Sequence, residues 1–171
     1  VVVRAPCGSG KTESVLAGFA TRSNQLPSRL VYCLPVRSLA DDMVQRARIR
    51  LKTFLPEPSI EVHHGSNPED PEFHKRLLFT TLDQFVGAYS CTPLSGALRF
   101  GNIAAGAVSS SLPVFDEVLL YDYELGLSTV WLIANRCRKL GLPFAILSAT
   151  LPDRFLGEAA SELDATIVTV S

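Results

Sequence analysis

The sequence contains no apolar run close to the ~18 residues that a membrane-spanning helix requires. It also shows no signal peptide, because the apolar residues 1–3 lead directly into a loop of small residues. An excess of one charge is missing as well, since 16 basic residues face 17 acidic ones for a net charge of −1. No overall charge draws this chain to nucleic acid, so any such site must be a local patch. We therefore expect a cytoplasmic protein with no membrane partner.

Cysteine and histidine are too scattered to suggest a metal centre. The four cysteines are far apart and form no Cys-x-x-Cys pair: Cys7, Cys33, Cys91 and Cys137. This spacing argues against a zinc site or a disulfide framework, and it favours a reducing cytosol. We interpret His63 and His64 as structural, because no carboxylate or cysteine lies at ligand spacing from them.

The alternation of apolar, β-rich runs with helical patterns predicts the fold class. The 171 residues suffice for one domain with a sizeable core. Runs that are apolar throughout, such as 144–147, are typical of strands buried on both faces. We predict an α/β fold with a mainly parallel sheet and helices on both faces. The expected strands are 1–4, 29–34, 60–64, 77–80, 114–115 with its flanks, 144–148 and 166–170. The expected helices are 11–20, 36–54, 127–140 and 153–163, with only a loop and one short helix in 89–111.

A loop of small residues follows the first predicted strand and reads Ala5-Pro6-Cys7-Gly8-Ser9-Gly10-Lys11-Thr12. Such a loop lets backbone N–H groups converge on an anion, and the helix after it points its positive dipole end at the same place. The pattern predicts that residues 5–12 bind the phosphates of a nucleotide. Lys11 would reach the β- and γ-phosphates, and the Thr12 hydroxyl would hold Mg²⁺.

Polar side chains end two later strands. Asp116 and Glu117 follow an apolar run at 112–115. Magnesium prefers a carboxylate together with phosphate oxygens, so Asp116 is the expected metal ligand. Glu117 is then the residue that orients or deprotonates the attacking water. Ser148 and Thr150 end another strand, where their hydroxyls suit contact with the γ-phosphate or with the acidic pair, although Ser and Thr are also ordinary turn residues.

In their order, these segments resemble the first RecA-like motor domain of a superfamily 2 helicase. The loop at 5–12 matches that family's nucleotide loop, including Ala5 where other families have Gly. Four more stretches resemble its motifs: a segment that grips the nucleic-acid backbone at 34–40, a His-Gly pair at 64–65, a Thr-rich turn at 80–84 and a coupling motif at 148–150. The resemblance implies a RecA-like P-loop NTPase domain that uses ATP and Mg²⁺.

Two stretches narrow the resemblance to the CRISPR-associated helicase–nuclease of type I interference systems. They are Thr-Leu-Asp-Gln at 81–84 and Phe-Asp-Glu-Val-Leu-Leu-Tyr-Asp at 115–122. That family implies ATP-driven translocation on single-stranded DNA in antiviral defence. It also implies three partners: a second RecA-like domain, a metal-dependent nuclease domain and the CRISPR surveillance complex.

The sequence departs from that family in two respects. Leu119 stands where the family has a His that helps to connect hydrolysis with the nucleic-acid face, and Leu cannot form a hydrogen bond. The His-Asp pair of the nuclease and the arginine fingers of a second motor domain are also missing. We therefore expect residues 1–171 to be a single N-terminal RecA-like helicase domain, a fragment of a larger protein. Alone it should have little ATPase activity, because the second domain supplies charge stabilisation.

The resemblance also suggests which residues meet nucleic acid. Arg37 at a strand-to-helix turn would bind a phosphate through its fork of donors. Thr80 and Thr81 would donate hydroxyls to the backbone, while Ser148 and Thr150 would couple nucleotide state to that face. A basic stretch in the next helix has i, i+2 spacing, which favours a solvated surface over a groove. Its members are Arg46, Arg48, Arg50 and Lys52.

Other functions fit parts of the same pattern. An RNA helicase or a restriction-type translocase would carry the same motor. A non-catalytic scaffold gated by nucleotide would account for Leu119. A small phosphotransferase would need an acceptor pocket and a lid within 89–111, and it is the least favoured of these.

Overall fold

The computed structural model describes residues 1–21, 25–56, 59–95, 98–122 and 124–170. Within these residues the strands are β1 (Val2–Arg4), β2 (Leu30–Leu34), β3 (Ile60–His64), β4 (Asn67–Pro68), β5 (Leu77–Thr81), β6 (Leu112–Asp116), β7 (Ala145–Ser148) and β8 (Ile167–Thr169). The helices are α1 (Lys11–Thr21), α2 (Arg37–Leu51), α3 (Leu82–Tyr89), α4 (Gly101–Ser109), α5 (Gly126–Lys139) and α6 (Asp153–Glu162). Short 3₁₀ turns span Leu98–Phe100 and Val118–Leu120. None of the helices in the described ranges is long and apolar enough to cross a bilayer.

The strands form one sheet in the order β4-β3-β5-β2-β6-β7-β1-β8. Neighbouring strands run parallel, except for the short antiparallel pair β3 and β4. The predicted α/β fold with a mainly parallel sheet is confirmed. Because β6, β7 and β1 are adjacent and parallel, the loop after β1 lies beside the polar ends of β6 and β7.

Side chains of the inner strands alternate between two apolar cores. Strand β2 shows this. One core, covered by α1 and α2, contains Leu30, Tyr32 and Leu34. The other core, covered by α3, α4, α5 and α6, contains Val31 and Cys33. This alternation follows from the two-residue period of a strand. Since both faces are buried, such strands are apolar at nearly every position.

Helix α3 and the short strand β4 are elements that the sequence pattern does not predict. The stretch 80–84 resembles a turn, but β5 continues to Thr81 and α3 begins at the next residue. Val86 and Gly87 are weak helix formers, so the local signal is small. Burial of Phe85 and Ala88 in the core stabilises α3 instead.

Two other expectations concern helix length. The helix expected at 36–54 ends at Leu51, because the N–H groups of Phe54 and Leu55 both donate to the Leu51 carbonyl and close a turn. The short helix expected within 89–111 is α4.

Two glycines of α4 should respond oppositely to replacement by Ala. A Cβ at Gly101 would lie 2.6 Å from the carbonyl oxygen of Cys91, whereas a Cβ at Gly106 would meet nothing within 4 Å. We expect Gly101→Ala to lower the free energy of unfolding by about 1–3 kcal/mol through overpacking. Gly106→Ala should raise it by about 0.5–1 kcal/mol, since Ala loses less backbone entropy in a helix. Urea unfolding of both variants measures this, and equal effects would contradict the packing of α4 on residue 91.

Candidate functional site

The candidate phosphate loop at residues 5–12 connects β1 to α1 and includes the first two residues of that helix, and residues 6–9 of it are exposed. Gly8 and Gly10 adopt φ values of +78° and +84°, which glycine tolerates and other residues rarely adopt. The loop ends directly at the N-terminus of α1, where backbone N–H groups lack helical partners and favour an anion. The predicted loop therefore has the backbone geometry of an anion site.

Lys11 lies at the junction of this loop and α1. Its side chain is only 7% exposed, and Nζ lies 3.7 Å from Oε1 of Glu117. The ammonium donates to the carbonyl oxygens of Ala5 at 2.7 Å and Pro6 at 3.2 Å. These acceptors hold the charge of Lys11 at the base of the loop, beside the acidic pair.

Thr12, Asp116 and Tyr32 form a hydrogen-bonded group between α1, β6 and β2. Thr12 Oγ1 donates to Asp116 Oδ2 at 3.5 Å across 104 residues of sequence. The phenol of Tyr32 donates to the same oxygen at 2.6 Å and lies 3.2 Å from Thr12 Oγ1. The structure thus brings the two predicted metal ligands together and adds a tyrosine that sequence reasoning missed. The available signal was a hydroxyl within the otherwise apolar strand β2.

The Asp116 carboxyl lies in a poorly solvated position. Burial raises its pKa above the ordinary value, because desolvation disfavours the charged form. The hydrogen bond from Tyr32 lowers that pKa, while the neighbouring charge of Glu117 raises it. Burial and the nearby Asp116 also raise the pKa of Tyr32 well above its ordinary value, so the phenol keeps its proton and acts as a donor.

Glu117 leaves the end of β6 with an unusual backbone. Its φ and ψ are both 48°, a left-handed conformation that is uncommon for a residue with a side chain. Its N–H donates to Asp116 Oδ1 at 2.9 Å, and its carboxylate accepts a hydrogen bond from Ser148 Oγ at 3.3 Å. Backbone conformations of this kind are concentrated at functional sites.

The chemistry of the donors fits magnesium. The Thr12 hydroxyl and the Asp116 carboxylate are hard oxygen ligands, and they lie within hydrogen-bonding distance of each other. Among the described residues no group of three or more His, Cys, Asp or Glu side chains could hold a metal ion. A site with one or two protein ligands suits Mg²⁺, which retains waters and takes up phosphate oxygens.

A second candidate surface is a cleft of about 1010 Å³ whose lining includes Arg37 and Thr81. Arg37 begins α2, and its Nη1 donates to Ser66 Oγ at 3.1 Å. Its guanidinium packs against Gly65: a Cβ added to residue 65 would lie 3.1 Å from Nη2 of Arg37. Because Arg37 is exposed, its other donors are available to a ligand in the cleft.

Thr80 does not reach this cleft, contrary to the prediction that both threonines donate to nucleic acid. Its side chain is 0% exposed, and Oγ1 donates to the His63 carbonyl at 2.7 Å. Successive residues of a strand face opposite sides, so Thr80 is inside while Thr81 ends the strand at the cleft. Thr80 is therefore a structural residue of β5.

The two predicted coupling residues are separated in the structure. Ser148 is buried at the end of β7 and contacts Glu117, whereas Thr150 is exposed beyond the strand.

Leu119, at the position of the family's His, is 37% exposed. It lines a groove of about 500 Å³ together with Trp131 and Phe155. The groove around Leu119 therefore has both apolar and charged walls, since Arg154 and Glu158 also line it.

The basic stretch of α2 is engaged by acidic side chains. Arg46 and Arg50 both pair with Glu13 of α1, at 2.6 Å for Arg46. Arg48 pairs with Glu61 of β3 at 2.9 Å. These contacts support the interpretation of the stretch as protein surface rather than as a groove.

The two adjacent histidines are buried and have protein partners. His64 Nε2 lies 2.9 Å from Asp41 Oδ1, and His63 Nε2 lies 2.8 Å from Ser95 Oγ. His64 also accepts a hydrogen bond from the N–H of Ser66 in the turn after β3, and the ring of His63 packs against Phe73. These contacts are in line with the structural role inferred from the sequence. The cysteines are free thiols, two exposed and two buried: Cys7, Cys91, Cys33 and Cys137.

The parallel sheet, the loop before α1 and the acidic end of β6 define a RecA-like helicase motor domain of superfamily 2. The model of the DEAD/DEAH box helicase family matches residues 1–158, and the chain belongs to that family.

Three relatives refine this assignment. The chain is 24% identical over 173 residues to a candidate CRISPR-associated nuclease/helicase Cas3 of Methanocaldococcus jannaschii, a match that covers 90% of this chain and 23% of that protein. The structure of T. fusca Cas3 with ATP has a TM-score of 0.68 at 20% identity, and covers 95% of this chain and 20% of that one. The Hef helicase domain of Pyrococcus furiosus has a TM-score of 0.67 at 17% identity, with 99% and 34% covered. The resemblance to the CRISPR-associated helicase–nuclease is confirmed as a similarity, and the chain spans about a quarter of that curated relative.

Proposed function

We propose that this chain is the ATP-binding motor domain of an ATP-dependent single-stranded DNA helicase or translocase that acts in CRISPR antiviral defence. The observation that carries the proposal is the meeting of Lys11, Thr12, Asp116 and Glu117 at one edge of the sheet. The similarity to Cas3 supports the choice of DNA and of CRISPR defence.

In the proposed site, residues 5–12 bind the phosphates of ATP, and Lys11 contacts the β- and γ-phosphates. Thr12 and Asp116 are the residues that would hold Mg²⁺, which when bound neutralises charge on phosphate oxygens. Glu117 orients the attacking water and accepts its proton. Each of these roles uses a side chain whose position the contacts above already fix.

The proposed coupling runs from the acidic pair toward the nucleic-acid cleft. Ser148 contacts the Glu117 carboxylate at 3.3 Å, so a change at Glu117 reaches the end of β7 directly. Thr150 lies two residues further, on the exposed side. Arg37 and Thr81 are the proposed contacts to the DNA backbone, whereas the buried Thr80 joins β5 to the His63 carbonyl of β3.

We further propose that residues 1–171 form the first RecA-like domain of a longer protein. Its second RecA-like domain and nuclease domain would lie elsewhere in that protein, and the CRISPR surveillance complex would load it. The length of the match supports this proposal, because the chain aligns with only 23% of the Cas3 relative.

The discriminating experiment measures ATP hydrolysis by the full-length protein with single-stranded DNA, with RNA and without nucleic acid. The proposal predicts stimulation by DNA above that by RNA. Greater stimulation by RNA would favour an RNA helicase and remove the CRISPR assignment. Stimulation by neither would favour a nucleotide-gated scaffold, a function that would also account for Leu119 at the position of the family's His.

Replacement of Arg37 tests the proposed DNA face. Arg37→Ala should weaken binding of single-stranded DNA by about tenfold and reduce the slope of log affinity against log salt by ~0.7, since one phosphate contact is lost. Arg138→Ala is a matched control, because Arg138 is an exposed arginine in the last turn of α5. The chain after α5 leads to the start of β7, so Arg138 lies at the edge of the sheet opposite to the candidate site. Fluorescence anisotropy at several salt concentrations measures both. Equal losses in the two variants would argue against a specific role of Arg37.

A further inference from the structure

Tyr32 is a buried tyrosine whose hydroxyl reaches the candidate magnesium site from a neighbouring strand. The residue is 0% exposed, and its ring packs against Phe79 with ring centroids 5.5 Å apart. It lies opposite Val114 in the register of β2 with β6, two residues before Asp116. The ring belongs to the core, and only the hydroxyl extends to the edge where the metal ligands lie.

The Tyr32 hydroxyl organises both predicted metal ligands. A phenol has one proton, and the 2.6 Å contact assigns it to Oδ2 of Asp116. The phenol oxygen also lies 3.2 Å from Thr12 Oγ1, whose own proton is directed at the same carboxylate oxygen, 3.5 Å away. This arrangement leaves the lone pairs of the Thr12 oxygen available to a cation.

The Asp116 carboxylate is held at both of its oxygens. Oδ2 accepts from Tyr32, and Oδ1 accepts from the backbone N–H of Glu117 at 2.9 Å. Tyr32 lies on β2 and Glu117 directly follows β6, so the carboxylate plane cannot rotate without breaking one bond. Lone-pair capacity for a cation remains, because a carboxylate offers about four acceptor sites in all.

We infer that Tyr32 is a positioning residue for magnesium, acting through Asp116 and Thr12. The inference rests on the proposed function, since it assigns Tyr32 to the Mg²⁺–nucleotide site. Without the hydroxyl, a buried carboxylate loses a charge-assisted hydrogen bond and turns to other donors, and Thr12 Oγ1 loses the phenol that lies beside it. The predicted defect is therefore in the magnesium-dependent part of nucleotide affinity.

Tyr32→Phe tests this, because it keeps the ring and removes only the hydroxyl. The affinity of the full-length protein for a fluorescent ADP analogue is measured in excess Mg²⁺ and in EDTA. We expect the ratio of the two affinities to fall by about tenfold in Tyr32→Phe, with the affinity in EDTA within about twofold of the wild type. Tyr121→Phe is the matched control, since its buried hydroxyl donates to the Cys33 carbonyl at 3.0 Å and touches neither metal ligand.

Each outcome decides the question. A lower ratio in Tyr32→Phe together with an unchanged ratio in Tyr121→Phe supports the inference. An unchanged ratio in Tyr32→Phe, or an equal loss of affinity in Mg²⁺ and in EDTA, overturns it and makes Tyr32 a core residue only, while the proposed function stands. A wild-type protein whose nucleotide affinity does not depend on Mg²⁺ would overturn the proposed function and the inference together.

Discussion

Replacing Lys11 by Ala is expected to lower the kcat of ATP hydrolysis by about a hundredfold to a thousandfold. The side chain is 7% exposed and holds its ammonium between the carbonyls of Ala5 and Pro6 on one side and Glu117 on the other. A positive charge fixed in a poorly solvated position interacts strongly with developing phosphate charge. Its loss also leaves the Glu117 carboxylate without its cationic neighbour. Steady-state hydrolysis and binding of a nucleotide analogue by the full-length protein measure the effect.

Lys139→Ala is a suitable control for this substitution. Lys139 is an exposed lysine in the last turn of α5, so its removal changes the net charge equally without touching the loop. We expect Lys139→Ala to retain wild-type hydrolysis within about twofold, as for a surface substitution. Hydrolysis by Lys11→Ala at the rate of this control would show that the loop does not act as a catalytic phosphate site.

The candidate phosphate loop and the acidic pair could be located from the sequence because their signals are local. A loop of small residues between a strand and a helix is recognisable from eight consecutive positions, 5–12. The end of an apolar run marks where Asp116 and Glu117 leave the sheet. In the structure β7 lies between β1 and β6, and because the strands are parallel their carboxyl ends share one edge of the sheet.

Tyr32 and Thr80 show what local signals leave out. Tyr32 contacts Asp116 across 84 positions of sequence, a pairing set by strand order rather than by any motif. Thr80 and Thr81 are the same residue type in adjacent positions, and only the register of β5 decides which one is buried. Helix α3 is similar, because burial of Phe85 and Ala88 rather than helix propensity stabilises it.

The position of Glu117 separates its role from that of Asp116. Asp116 is the last residue of β6, is 6% exposed and contacts Thr12 and Tyr32. The left-handed backbone of Glu117 turns its carboxylate away from that group, toward Ser148 and Lys11. Two adjacent acids therefore meet different neighbours, as expected where one holds a metal ion and the other handles a proton.

This separation predicts that Glu117→Gln lowers kcat by about a hundredfold to ten-thousandfold, the usual contribution of a general base. The amide oxygen can still accept the hydrogen bond from Ser148, so the local geometry is retained, but the amide cannot take a proton at neutral pH. Removing a charge beside Asp116 also relieves repulsion between the two carboxylates, so affinity for Mg²⁺ and nucleotide should be undiminished.

Two measurements on the same full-length Glu117→Gln protein test this: single-turnover hydrolysis and equilibrium binding of nucleotide. Together they distinguish the loss of a general base from a loss of nucleotide binding. Glu124→Gln provides the matched control, because Glu124 is an exposed acid seven positions further along the same segment. A loss of binding as large as the loss of hydrolysis would place Glu117 in the binding of nucleotide rather than in proton transfer. Unchanged hydrolysis in Glu117→Gln would mean that a group other than Glu117 activates the water. Asp116 is not suited to replace it, because its carboxylate already accepts hydrogen bonds from Tyr32 and from the N–H of Glu117.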